Sequence, residues 1–183
     1  MKKTQTLKVV YSAFFLCLAM ILPFFTGQIK ILGKMLNLMH VAIFLCGMIC
    51  GGYYGGIVGF IAPLLRSIIF GMPNLYPNAV AMAFELGAYG LVSGLTYKML
   101  YKVKGAKFIS LIVSMLVGRM VWGITSLILW SFIGKFFTFA LFIKGAFIDS
   151  VVGIVLQLIL VPSIIFVLEK AVKHKHNESN YKS

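Results

Sequence analysis

The sequence predicts an all-α integral membrane protein, a six-transmembrane-helix bundle with both termini cytoplasmic. Three observations lead there. Of 183 residues, 61% are hydrophobic and 11% charged, with a mean hydropathy of +0.99; an average soluble domain is about 45–50% apolar and roughly 25% charged. A 20.3 kDa globule cannot enclose that much apolar surface. The same composition excludes a disordered chain, and three cysteines are too few for a disulfide scaffold. Second, the apolar residues fall in six runs, at 7–25, 36–51, 54–71, 79–97, 108–132 and 145–168. Each is close to the roughly 20 residues that cross a hydrocarbon core of about 30 Å. Third, lysines are biased to one side. With the N-terminus inside, eleven flank inner ends (in the Lys2, Lys98–Lys107 and Lys170 regions), and four flank outer ends, Lys30, Lys34, Lys135 and Lys144. The net charge of +13 is then mainly this topological bias plus attraction to anionic membrane lipids, and no nucleic acid is expected as a partner. Runs such as Val151-Val152-Gly153-Ile154-Val155-Leu156 are apolar on every face, which excludes the alternating pattern of a membrane β-barrel.

Taken in order, span one begins with Lys2, Lys3 and Lys8 and ends at Pro23-Phe24-Phe25. It is longer than the apolar stretch of an export signal and has no small-residue cleavage site, so it reads as an uncleaved helix. Ser12, Ala13 and Cys17 make a small-residue patch on it, facing another helix of this chain or of a partner. Span two is short unless it starts near Ile29; His40 begins it, and Cys46 and Cys50 are spaced as packing thiols, not as a C-x-x-C site. Gly47, Gly51, Gly55 and Gly59 recur every four residues, as do Gly90 and Gly94 on span four. Such ridges let membrane helices approach closely, while the glycines at 51–56 also have to make a turn. Pro63 and Pro162 predict local kinks. Short connections, at 26–35, 71–78, 98–107 and 133–144, make neighbouring helices antiparallel in a single domain. The tail from His174 onward carries no sign of folding, and its histidines read as solvated.

Both arginines and two of the four acidic residues fall inside the predicted spans: Arg66, Glu85, Arg119 and Asp149. Each costs about 2.5–3.5 kcal/mol at a bilayer centre, so each needs a partner or a watery cavity. Counting from the predicted helix ends puts Arg66, Glu85 and Asp149 roughly 6–9 Å below the outer surface, with Arg119 deeper, near the midplane. One reading makes Arg66–Glu85 and Arg119–Asp149 structural ion pairs. The other makes the charges part of an outward-facing pocket. His40, Asn74, Tyr76 and Asn78 crowd the same outer half, Tyr89 lies one turn below Glu85, and Trp122 and Trp130 lie on the outer part of span five. Convergent polar groups with aromatic walls are the usual make-up of a ligand site. Gln157 reads as an interhelical hydrogen bond. No metal-binding motif, phosphate loop or nucleophile elbow is present, so no enzymatic activity is expected.

The stretches Met39-His40-Val41-Ala42-Ile43-Phe44-Leu45-Cys46-Gly47 and Gly55 through Ser67, then Gly71-Met72-Pro73 and Glu85 through Gly94, resemble the substrate-binding S components of energy-coupling factor (ECF) transporters. The resemblance covers essentially the whole chain. It implies a high-affinity binding subunit for a vitamin or related micronutrient, open to the outer face of a (bacterial) plasma membrane. It would work with a transmembrane coupling protein and two ATPase subunits that use the ATP, with no cofactor in this chain. It also implies a ligand site under the outer loops, against spans four to six, where the charge cluster falls. Family members carry alanines at four-residue spacing on span one for docking the coupling protein; Ala13 and Cys17, beside Ser12, keep small residues there. The rival is a small membrane enzyme or stand-alone channel using the same polar cluster. A channel would carry a polar stripe along whole spans, whereas the inner halves here are nearly pure Leu, Ile, Val and Phe.

Overall fold

The computed structural model describes residues 2–26 and 38–181, and these are helical with short connections, without a strand among them. We label the principal helices α1 (Lys2–Ile21, continued by a 3-10 turn Leu22–Thr26), α2 (Leu38–Cys50), α3 (Gly52–Phe70), α4 (Val80–Leu100), α5 (Ala106–Phe132) and α6 (Val151–Tyr181). Five helical segments are long and apolar enough to cross a membrane: Gln5–Phe24, Gly52–Phe70, Leu75–Leu100, Ala106–Phe132 and Phe139–Lys170. The chain is a multi-pass membrane protein. The remaining helix, α2, has 13 residues. A start for it near Ile29, and the first outer connection, lie outside the described residues.

Two boundaries differ from those expected. The last span does not begin at residue 145. Phe139–Ile143 forms a one-turn helix, started by Thr138, whose hydroxyl accepts from the Leu141 N–H, and Lys144–Ile148 is a wide π-type turn. A break at Asp149 and Ser150 then precedes α6. The helix continues through the tail to Tyr181; the side chains of that tail, His174 and His176 included, lie outside the described residues.

Helix α2 sits at the centre, packed against α1, α3, α4 and α6. Eleven of its 13 described residues are buried. Its connection to α3 is one residue, Gly51, at φ 106, a conformation costly for a residue with a Cβ. The other glycines serve packing. A Cβ on Gly90 would strike the Gly55 carbonyl, and one on Gly94 would strike the Gly47 carbonyl and the Gly52 nitrogen. The backbones of α2, α3 and α4 therefore touch directly, as the four-residue spacing suggests.

Helices α4 and α5 are antiparallel, and their register can be followed along the interface. Near one end the Tyr76 hydroxyl donates to the Leu129 carbonyl at 3.0 Å. Further along, Glu85 meets Arg119 at 2.8 Å, and Tyr89 lies against Gly118. At the other end, the inner one in the expected orientation, Tyr97 and Lys107 both reach Glu169 of α6, at 2.6 Å each.

Candidate functional site

A polar cluster lies in the middle of this register. Glu85 is 2% exposed and Arg119 8%. Arg119 Nη1 and the Tyr89 hydroxyl both donate to Oε1 of Glu85, each at 2.8 Å. Tyr89 lies one turn inward of Glu85 on the same face of α4, and its ring packs on Phe44 of α2 with centroids 4.9 Å apart. His40, one turn from Phe44 on α2, lies 5.5 Å from the Tyr89 ring. Gly118 makes this possible, because a Cβ there would occupy the space of the Tyr89 ring edge. Opposite charges thus neutralise one another in a desolvated interior, where either alone would be expensive.

The two pairings of the structural ion-pair reading are not the ones formed. Glu85 pairs with Arg119, not with Arg66. The depth count placed Arg119 below Glu85 because it began at Ala79. The segment above α4 begins at Leu75, with Tyr76 extended (φ -119, ψ 133), and Glu85 stands level with Arg119. Arg66 instead donates to the Met20 carbonyl at 3.0 Å near the end of α1, between the rings of Phe24 and Phe70 at 5.5 and 5.6 Å. Asp149 is exposed, at a break in the helix within the span-length segment Phe139–Lys170, and does not pair with Arg119, which meets Glu85.

The remaining expected residues form an outer layer. Asn74, Tyr76 and Asn78 are exposed in the connection between α3 and α4, where the Ser67 hydroxyl holds the Pro73 carbonyl at 2.6 Å. Trp122 and Trp130 belong to an aromatic cluster with Phe137 and Phe142: Trp122 stacks with Phe142 at 6.2 Å, and Phe137 packs edge-on to both tryptophans. Phe142 fills the notch over Gly123, and Trp122 fills the one over Gly145. Sequence reasoning passed over Phe44, Gly118, Phe137 and Phe142. Phe44 is detectable as the residue one turn from His40; the aromatic loop residues carry no spacing signal.

On α6 the buried side chains change size across the level of the cluster, from Ser150 and Gly153 on one side to Val161 and Ile165 on the other. On α5 small residues are buried on both sides, Gly123 and Ser126 on one and Ser110 and Ser114 beside Leu111 and Met115 on the other.

The small-residue patch on α1 divides. Ser12 is buried, donating to the Lys8 carbonyl at 2.7 Å with Cys46 Sγ 3.9 Å away. Ala13 and Cys17 are exposed. Ala13 borders an apolar groove of about 220 Å³ between α1 and α3, walled by Val9, Leu16, Tyr54, Ile57 and Ile61.

No curated protein and no solved structure matches the chain. Residues 7–166 match the family described as ECF transporter, substrate-specific component. With that match spanning most of a multi-pass helical bundle, the chain belongs to the substrate-specific components of ECF transporters.

Proposed function

We propose that this chain is the high-affinity binding subunit for uptake of a small micronutrient, a vitamin or precursor, through a pocket open to the outer face. In this reading α2 completes a set of six spans, both termini are cytoplasmic, and a coupling protein and two ATPase subunits supply the energy. The observation that carries the reading is the Glu85–Arg119–Tyr89 cluster, desolvated and capped on its outer side by small residues and an aromatic layer. A substrate with a polar group and an aromatic or apolar part matches those two surroundings. Pantothenate, flavins and pterins all have that character. Exposed Ala13 and Cys17 on α1 supply a flat face for the coupling protein, and buried Ser12 braces that helix from within.

Mass spectrometry of small molecules extracted from the purified protein tests the assignment. A single micronutrient retained in near-stoichiometric amount is expected from wild type and not from Arg119→Ala. Protein that retains no small molecule, and that binds neither pantothenate, riboflavin nor folate in titration calorimetry, overturns it.

A further inference from the structure

We infer that Gln157 on α6 is a wall of the substrate chamber and donates through its amide nitrogen to an acceptor on the bound molecule. The inference rests on the binding-subunit reading above and extends it to a third helix.

The first ground is an unmet hydrogen bond. Gln157 is 2% exposed, and its Nε2 has no hydrogen-bond partner. Buried polar groups are nearly always paired, because an unpaired one forfeits its hydration without recompense. An interhelical bond, the ordinary explanation for a glutamine in a membrane span, is not what this nitrogen makes.

The second ground is depth. Glu169 is tied to Tyr97 and Lys107, so α4, α5 and α6 share a common level at their inner ends. Twelve residues outward from that level stand Glu85 on α4, Arg119 on α5 and Gln157 on α6, each about 18 Å along its helix. Gln157 therefore lies at the height of the charge pair, buried on a helix that packs against α2 and α5.

The third ground is shape. The buried positions outward of Gln157 are Gly153 and Ser150, and the position one turn inward is Val161. On α6 the glutamine stands where branched side chains give way to small ones. A molecule seated there, against Arg119, brings a carbonyl, carboxylate or ring-nitrogen acceptor within reach of the amide. A bare metal cation offers no acceptor and is not the class of occupant this arrangement selects.

Thiol accessibility in right-side-out vesicles tests the assignment, with a small polar methanethiosulfonate as the probe. In the background Cys17→Ser, Cys46→Ala, Cys50→Ala, the Gln157→Cys protein is expected to be labelled from outside, and the Val161→Cys protein is not. Labelling of Asp149→Cys with none of Gln157→Cys overturns the inference and leaves Gln157 as packing. Slower labelling of Gln157→Cys in the presence of riboflavin, pantothenate or folate supports the inference and identifies the occupant's class. Labelling slowed by none of the three, together with empty purified protein, overturns the micronutrient reading while the chamber wall stands. For a compound that binds, Gln157→Leu is expected to weaken affinity about tenfold with an unchanged melting temperature. Unchanged affinity for it overturns the hydrogen bond.

Discussion

Arg119 and the Tyr89 hydroxyl converge on one oxygen of Glu85, each at 2.8 Å. The cluster can therefore lose any member only by stranding another. In a buried pair the attraction mostly repays the desolvation of the two charges. Its removal as a unit and its removal by halves have different consequences.

Arg119→Ala leaves the Glu85 carboxylate without its countercharge. The expected cost is about 3–5 kcal/mol of stability, together with loss of ligand retention. The double replacement Glu85→Leu, Arg119→Met removes both charges and is expected to recover most of the melting temperature without recovering binding. Melting curves and ligand extraction on the same samples check this. A double variant that regains both properties assigns the pair to structure alone.

Arg66 has a different role. Its contacts are the Met20 carbonyl and the Phe24 and Phe70 rings, so it braces the outer end of α1 against α3. Arg66→Ala is expected to cost about 1–3 kcal/mol in stability, the range for a hydrogen bond from a charged donor, and to leave affinity unchanged. Calorimetric titration beside a melt separates it from Arg119; a tenfold loss of affinity, on the order of 1.4 kcal/mol, contradicts this division.

Glycine substitutions should divide by location. Gly90→Ala drives a methyl into the Gly55 carbonyl and is expected to cost about 1–3 kcal/mol, as overpacking does. Gly87→Ala meets its nearest atom at 3.5 Å, an ordinary contact. It is expected to be neutral or to stabilise by about 0.5–1 kcal/mol through reduced backbone freedom. Thermal denaturation in one detergent ranks the two, and equal effects contradict the direct contact of α3 with α4.

Lys104→Cys, in the connection between α4 and α5, should react with an impermeant thiol reagent in inside-out vesicles and stay unreactive in right-side-out ones. The reverse pattern inverts the topology and puts the aromatic side of the charge pair toward the cytoplasm.

The helical membrane class was legible because hydropathy and lysine placement are properties of the chain itself. Glu85 and Arg119 were legible as positions that need a partner because ionisable groups are costly wherever a bilayer surrounds them. Their partnership was not. It depends on what precedes α4, where the chain from Leu75 to Ala79 kinks with Tyr76 extended, and an apolar run gives no marker of that. The break beside Asp149 was hidden for a related reason: 145–168 is almost uninterrupted in hydropathy, yet the helix breaks at 149–150. Gln157 showed itself as a polar residue in a span. Only the register shared by Glu169, Lys107 and Tyr97 assigns it a height.

The enclosure of α2 bears on how the bundle meets lipids of different chain length. Its 13 residues rise about 20 Å, while the 27 of α5 rise about 40 Å; neither equals a hydrocarbon thickness of roughly 30 Å. Lipid meets little of α2, so its shortness imposes almost no strain on the bilayer. Hydrophobic mismatch falls instead on the peripheral α5, which has to tilt or project. Arg119 stands near the middle of α5, so a change in that tilt pivots close to the charge pair. Thinner or thicker membranes should then move the helix ends far more than they move the site.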